Sequence, residues 1–240
     1  MEQKINKLRN ISKEIDNIFK QDYSIIPYKI EKLIDEILYD DEGEKLLLEI
    51  IIERVNNLSN DPDIVDGLIY QKILEKSKSS IKENLIVNLP NGVIHLDSLG
   101  IFNYQPLQNL LIKKQFQEAD KLTQQYLCRL VEIKTNNKKN WLYFTDVQFV
   151  PQQDLFMLDM LWRVYSKGKF GFSIQKKVWV HSNKKWDKLW EKIHWINNGI
   201  MKRYPDEFVW TTDAPEGHLP LFNQLRGTQA LHYLFKSIKW

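Results

Sequence analysis

The stretch FQEADKLTQQYLCRL, residues 116–130, decides the fold class of this chain of 240 residues. Its apolar and small side chains return at steps of three and four residues, at positions 116, 119, 122, 123, 126, 127 and 130. That spacing places them on one face and is typical of an amphipathic α-helix. Pro106 opens a shorter apolar segment just before it, so the two segments predict a helical hairpin.

The same periodicity recurs through the first ninety or so residues, where it predicts five short helices joined by brief turns. Residues 44–55 are apolar nearly all round, which predicts that they form the buried central helix. Residues 61–63, Asp-Pro-Asp, are expected to start the next helix, because Asp accepts free backbone N–H groups and Pro suits a first turn. Ser80 and Glu83 have the spacing of a capping box for the fifth helix.

Helical periodicity also dominates the second half. Asp154 is expected to cap a helix that Gly168 would end, and Trp186, Leu189 and Ile193 mark another helix. Phe170 and the rings beside it are expected to pack in the core. We therefore predict an all-α fold.

Charge divides the chain into two parts. Residues 1–90 carry 13 basic and 18 acidic side chains, whereas residues 91–240 carry 21 and 13, and all eight tryptophans lie after residue 140. Residues 89–92, Leu-Pro-Asn-Gly, are a strong turn signal. We predict an N-terminal helical bundle over 1–90 and a basic, aromatic-rich core domain over 91–240.

Composition excludes several classes of protein. With 43% hydrophobic and 27% charged residues, and a mean hydropathy of -0.44, the chain has no apolar run long enough to span a membrane as a helix. A single cysteine, Cys128, excludes a disulfide scaffold and a cysteine-only metal site. Acidic residues interrupt the N-terminal segment, which argues against a signal or transit peptide.

Two long segments without periodicity, about 134–151 and 197–220, are where we expect a binding site. They are rich in aromatic residues and in neighbouring cations, which suits a flat apolar ligand that carries carboxylates. Two alternatives remain open: the aromatic rings fill the core, or they stack the bases of single-stranded nucleic acid. Nucleic acid is disfavoured, because the chain has no RNP, KH or zinc-knuckle signature.

Catalytic signatures are missing from the sequence. It has no phosphate-binding glycine motif, no HExxH and no GxSxG elbow, and its five histidines lack the spacing of metal ligands. His218, the only histidine in a suspected site loop, could donate a hydrogen bond or bind a metal. Asp154 and Asp159 do not share a helix face well enough to form an acid–base pair. We predict a non-enzymatic protein with no metal site.

An ordered series of motifs extends from Tyr104 to the C-terminus: YQPLQ at 104–108, FQEADKLT at 116–123, WLYFT at 141–145, DMLW at 159–162, SKGKFGFSIQ at 166–175, APEGHLP at 214–220 and NQLRG at 223–227. Together these motifs resemble the Genomes Uncoupled Four family of tetrapyrrole-binding regulators of magnesium chelatase. The resemblance implies an all-helical fold whose two long loops form a site shaped like a cupped hand.

The resemblance also implies the ligands and the partner. Family members bind protoporphyrin IX and magnesium-protoporphyrin IX without transforming them, and stimulate magnesium chelatase through its large porphyrin-binding subunit at the head of chlorophyll synthesis. By motif, the first loop supplies the apolar palm and the second loop covers the macrocycle, while a guanidinium meets a propionate. The residues carried over in this way are Phe144, Val147, Tyr204, Phe208, Trp210 and Arg226.

Two positions depart from the family pattern. Tyr204 stands where relatives often have tryptophan, and Gln229 stands where they often have a basic residue, which would shift propionate binding onto Lys202 or Arg203. The implied location is a plastid stroma, for a plastid-encoded protein, or a cyanobacterial cytoplasm, with peripheral attachment to pigment membranes. The alternative function is a helical scaffold whose aromatic loops bind a protein partner instead of a pigment.

Overall fold

The computed structural model describes residues 2–57, 62–96, 101–222 and 228–240. The chain divides into two compact units, residues 1–95 and 96–240. Within the described residues the secondary structure is eleven α-helices, one short 3₁₀ helix and a two-stranded antiparallel sheet. The prediction of an all-α fold is confirmed. No helix in the described ranges is long and apolar enough to cross a membrane.

In the part of the first unit that the structure describes there are five helices: α1 Glu2–Phe19, α2 Tyr28–Leu38, α3 Asp41–Asn56, α4 Ile64–Lys76 and α5 Ser79–Asn88. Helix α3 packs against the other four, as expected of a central helix. It is not the fully buried one, however, because Leu46, Ile50 and Ile52 remain partly exposed. Helix α4 instead buries every residue from Ile64 to Ile73.

Helix α4 contains polar and charged residues, so its burial could not be predicted from the sequence. Each of its buried charged side chains forms an ion pair. The Arg54 Nε lies 2.9 Å from the Asp66 Oδ1. The Lys72 Nζ lies 2.9 Å from carboxylate oxygens of both Glu31 and Asp35. Buried charges are tolerated when they are paired in this way.

The N-caps of helices α4 and α5 agree only in part with those predicted from the sequence. Asp63 caps α4 and forms a capping box with Asp66, whereas Asp61 lies outside the described residues. The predicted capping box of Ser80 and Glu83 is wrong, because α5 begins at Ser79 with Lys78 at its N-cap and has no side-chain cap. The carboxylate of Glu44 instead accepts the backbone N–H of Lys78 at 2.9 Å.

The second unit contains the remaining elements: α6 Gln105–Ile112, α7 Phe116–Thr135, a 3₁₀ helix Val147–Phe149, α8 Gln152–Val164, α9 Phe172–His181, α10 Trp186–Lys192, β1 Ile196–Asn197, β2 Ile200–Met201 and α11 Thr228–Ser237. Helices α6 and α7 pack together across the turn at 113–115, which forms the predicted hairpin. Trp162 is fully buried on α8, and its Nε1 donates to the Thr123 hydroxyl on α7 at 3.0 Å.

Two aspartates of the second unit have roles that the sequence did not predict. Helix α8 begins after Pro151, so Asp154 is not its N-cap. Asp154 is fully buried within the first turn, where it accepts the backbone N–H of Ile101 at 2.7 Å and the Tyr104 hydroxyl at 2.5 Å. Asp159, also fully buried, accepts the backbone N–H of Ser173 at 2.7 Å. Asp154 thus joins α8 to Ile101 and Tyr104, before α6, and Asp159 joins α8 to the start of α9.

Candidate functional site

The first loop, residues 136–151, is fixed by one buried carboxylate. Asn136 ends α7 in a left-handed conformation with φ 53°. Asp146 then accepts the backbone N–H of Tyr143 at 2.8 Å, and its carboxylate lies 2.9 Å from the Lys139 Nζ. This ion pair is largely buried, so the Lys139 ammonium stabilises the loop and is not available to bind a ligand.

Aliphatic and aromatic side chains of the first loop point in opposite directions. Leu142, Val147 and Val150 are buried and anchor the loop on the second unit. The aromatic side chains are between 36% and 55% exposed, and we call them the first-loop rings: Trp141, Tyr143, Phe144 and Phe149. The loop thus presents a set of rings on an apolar support.

Helix α11 extends this aromatic surface. The ring of Tyr233 is 41% exposed, and its centroid lies 5.4 Å from that of Phe144. The Lys236 Nζ lies 5.4 Å from the centre of the Tyr233 ring. Tyr233 was missed in the sequence, where it stands among the apolar residues of a helix and looks like a core position.

A short hairpin leads into the second loop and was also missed. Strands β1 and β2 pair antiparallel, with Ile196 opposite Met201. Asn198 and Gly199 connect them with φ values of 48° and 76°. Asn-Gly between apolar residues is the strongest local signal for a two-residue hairpin turn, so the sequence did carry this information.

His218 fastens the second loop, residues 202–222, from within. Its ring is fully buried, the Nε2 accepts the backbone N–H of Val209 at 3.1 Å, and the Nδ1 lies 2.6 Å from the Ile193 carbonyl oxygen. These partners assign the hydrogen to Nδ1. Burial lowers the pKa of His218 to about 4, although the hydrogen bond to Ile193 opposes that shift. The ring is therefore neutral, and both nitrogens are occupied.

This arrangement decides between the two roles considered for His218. His218 donates a hydrogen bond to the Ile193 carbonyl oxygen at the end of α10, and its other ring nitrogen accepts from Val209 within the loop, so it has no free lone pair for a metal. Among the described residues no group of three or more histidine, cysteine, aspartate or glutamate side chains could hold a metal ion.

Backbone groups beside His218 are held by helices α9 and α7. The Gln175 side-chain amide donates to the carbonyl oxygens of Gly217 and Pro220, at 3.0 and 2.8 Å. Asp120, on helix α7, accepts the backbone N–H of Leu221 at 2.6 Å. These contacts make the base of the second loop rigid.

Tyr204, Phe208 and Trp210 form one cluster in the first half of the second loop, which we call the second-loop rings. The centroids of Tyr204 and Trp210 are 5.8 Å apart and those of Phe208 and Trp210 are 6.2 Å apart. The indole N–H of Trp210 donates to the Pro205 carbonyl oxygen at 3.0 Å. Burial of the phenol raises the pKa of Tyr204, and the carboxylate of Asp120 adds to the shift.

The six predicted contact residues occupy three kinds of position. Phe144 and Tyr204 are 36% and 41% exposed, and Trp210 is partly exposed. Val147 and Phe208 are buried. Arg226 lies outside the described residues. The contacts of these residues with a ligand stay a prediction.

The cations near the loops differ in whether the charged group of the side chain is bound within the protein. The Lys169 Nζ donates to the Thr212 carbonyl oxygen at 2.5 Å, and burial lowers the pKa of Lys169. Arg203 is exposed, and its backbone N–H, rather than its side chain, binds the Glu207 carboxylate at 2.7 Å. Gln229 is exposed at the start of α11. The exposed guanidinium of Arg203 is thus a cation that an anionic ligand could reach.

Fold and loops together define a class of protein: a helical module that presents aromatic rings on two fixed loops. Comparison with known proteins places the chain within that class. The profile of the family described as GUN4-like matches residues 98–237. The structure of GUN4 from Chlamydomonas reinhardtii superposes with a TM-score of 0.52 and 36% sequence identity, over 60% of this chain and 93% of that one.

Two relatives support the same assignment. The protein ycf53 of Pyropia yezoensis is 42% identical over 210 residues, which cover 87% of this chain and 88% of that protein. A protein of Arabidopsis thaliana named "Tetrapyrrole-binding protein, chloroplastic" is 33% identical over 137 residues, 53% of this chain and 51% of that protein. The chain belongs to the GUN4-like family, which confirms the resemblance to the Genomes Uncoupled Four family.

Proposed function

We propose that the protein binds protoporphyrin IX and magnesium-protoporphyrin IX on the rings of its two loops and stimulates magnesium chelatase. The observation that carries the proposal is the outward orientation of the first-loop rings on a buried aliphatic support. Exposed rings in such number are unusual on a solvated surface and mark a binding site. Family membership and the tetrapyrrole-binding relative support a porphyrin as the ligand.

The chemistry of the ligand matches the two loops. A porphyrin is a flat apolar macrocycle with propionates at one edge, so stacked rings stabilise its faces and cations its edge. Phe144, Tyr204 and Trp210 contact the macrocycle, and Val147 and Phe208 hold those rings in place from below. Arg226 binds a propionate, and Arg203 or Lys202 compensates for the neutral Gln229.

The protein acts on magnesium chelatase as a non-enzymatic regulator. It delivers or presents the pigment to the large porphyrin-binding subunit of the chelatase and leaves the macrocycle unchanged. It works in a plastid stroma or a cyanobacterial cytoplasm, at the periphery of pigment membranes. The word "chloroplastic" in the name of the Arabidopsis thaliana relative supports the plastid.

A helical scaffold for a protein partner is the second candidate. The favouring observation is the exposure of Trp141 and Tyr143, since aromatic rings also dominate protein interfaces. In that case the loops would bind the chelatase subunit equally well with and without pigment.

Reconstituted magnesium chelatase separates the two candidates. We expect the protein to raise the rate of magnesium insertion, and the Phe144→Ala variant to raise it less at subsaturating porphyrin. The matched control is Val180→Ala, which removes a similarly exposed apolar side chain from helix α9 and should stimulate like the wild type. Stimulation that is equal in both variants, together with pigment-independent binding to the large subunit, would favour the scaffold.

A further inference from the structure

The second unit contains a pocket lined mainly by residues with polar or charged side chains, in addition to the two sets of rings. It has a volume of about 340 Å³ and lies between helix α7 and the start of the first loop. Its lining includes Gln124, Gln125, Cys128, Arg129, Lys138 and Asn140. At this size it accommodates a small metabolite, since ligand pockets range from roughly 300 to 1,000 Å³.

The charges of the lining favour an anion. Arg129 and Lys138 are exposed cations, and Glu132 is the acidic residue among the lining side chains. Lys139 also contributes to the wall, but its ammonium is neutralised by Asp146 at 2.9 Å. Two cations thus face one carboxylate in the pocket.

Neutral donors complete the lining. The side chains of Gln124, Gln125 and Asn140 each carry an amide NH₂ that can donate to an oxyanion. The guanidinium carbon of Arg129 lies 5.1 Å from the centre of the Phe102 ring, which restrains the side chain while leaving its N–H groups able to donate. Arginine forks bind carboxylate and phosphate groups in a bidentate manner.

We propose that this pocket binds a small organic oxyanion, a phosphorylated or carboxylated metabolite held by Arg129, Lys138 and the three amides. At about 340 Å³ the pocket is too small to enclose a porphyrin, so the site is separate from the rings proposed to bind pigment. Residues 138–140 immediately precede Trp141, which means that a bound oxyanion would contact the segment that carries the first-loop rings.

The only cysteine of the chain supplies a probe at the site. Cys128 is buried in the pocket wall, and its sulfur accepts the Gln124 side-chain amide at 3.4 Å. Burial raises the pKa of the thiol, so its reaction with iodoacetamide is slow and depends on access through the pocket. A ligand in the pocket should therefore protect Cys128 from alkylation.

The test measures the alkylation rate of the full-length protein by mass spectrometry at constant ionic strength. Inorganic pyrophosphate and succinate are titrated separately, so that the two arms distinguish a phosphate from a carboxylate. We expect saturable protection by at least one probe. In the double variant Arg129→Gln/Lys138→Gln the concentration needed for protection should rise about tenfold or more, because two charge-assisted contacts are lost.

The control variant is Lys134→Gln, which removes an exposed cation of α7 that does not line the pocket. It should show the same protection as the wild type. Calorimetric titration of wild type and double variant with the same probes provides a second measurement that does not depend on thiol reactivity. No protection and no binding heat with either probe, or identical values in the double variant, would overturn the proposal.

Discussion

The side-chain carboxyl group of Asp120, on helix α7, accepts a hydrogen bond of 2.6 Å from the backbone N–H of Leu221, 101 residues further along the chain. This contact joins the first long helix of the second unit to the end of the second loop. Asp120 is almost fully buried, and burial raises the pKa of its carboxyl group to about 7. Because Tyr204 is close enough to sense its charge, Asp120 also bears on the second-loop rings.

Stability should depend on pH through Asp120. The folded protein holds this proton up to about pH 7, whereas the unfolded chain releases it near pH 4. The contribution of Asp120 to the free energy of unfolding therefore falls as pH rises from 4 to 7, on the order of 1–4 kcal/mol in all. In Asp120→Asn this contribution should vanish, because the amide oxygen still accepts the Leu221 N–H and does not titrate.

His218 should act in the opposite direction. Its folded pKa of about 4 lies below the value of 6.5 for a free imidazole. The unfolded chain thus binds a proton between pH 6.5 and 4 that the folded protein does not, and stability is lost as pH falls through that window. In the variant His218→Gln the amide can contact both partners, and we expect this acid-induced loss to disappear.

One experiment checks both titrations. Urea unfolding between pH 4 and 8, followed by tryptophan fluorescence, reports on the second unit because all eight tryptophans lie there. The two groups oppose each other in the wild type. Asp120→Asn should therefore lose stability more steeply than the wild type below pH 6.5, and His218→Gln should gain stability. Parallel curves for all three proteins would contradict both assignments.

Gly171 should tolerate no side chain. It adopts a φ of 135°, and a Cβ atom there would lie 2.8 Å from the Asp159 Oδ1, the oxygen that also accepts the Ser173 N–H. We expect Gly171→Ala to lower the free energy of unfolding by about 2 kcal/mol or more. Gly199→Ala is the matched control, since Gly199 has a φ of 76° but no atom within 4 Å of its Cβ position.

The control should cost only about 1–2 kcal/mol of backbone strain. Thermal unfolding followed by circular dichroism measures both variants. Equal losses of stability in Gly171→Ala and Gly199→Ala would mean that the contact with Asp159 has no part in the effect.

A larger ring at position 204 should strengthen pigment binding. Tyr204 is 41% exposed, and its centroid lies 5.8 Å from that of Trp210. Tyr204→Trp adds stacking area beside Trp210, and we expect the dissociation constant for deuteroporphyrin to fall about two- to fivefold. Tyr204→Leu is the control, because it keeps an apolar side chain and removes the ring. A weaker affinity for the tryptophan variant would exclude stacking at this position.

The periodicity of apolar residues predicted where the helices lie, but it did not predict how deeply each helix is buried. The spacing of residues 116–130 predicted α7 because a helix imposes its own period on an apolar face. The same reasoning could not show that α4 is buried at every residue from Ile64 to Ile73, since the burial of Asp66 and Lys72 depends on partners in α2 and α3. Such pairs are properties of the tertiary structure.

The same pattern located the irregular segments, but it could not show which of their side chains are exposed. An irregular segment has no repeat that separates inside from outside, so nothing in WLYFTDVQF distinguishes the exposed Phe144 from the buried Val147. Asp146 makes that distinction by fixing the backbone of the turn. By contrast, the Asn198-Gly199 hairpin was readable from the sequence alone.

The central claim is that a tetrapyrrole binds to the rings of the two loops. Its most direct test is a titration with deuteroporphyrin and magnesium-deuteroporphyrin that follows Soret absorption and tryptophan quenching together, in wild type, Phe144→Ala and Val180→Ala. We predict saturable binding with a shifted Soret band, a roughly 5- to 30-fold weaker affinity for Phe144→Ala because about 1–2 kcal/mol of ring contact is lost, and no change for Val180→Ala. No Soret shift and no quenching in the wild type, or equal affinities in all three proteins, would contradict it.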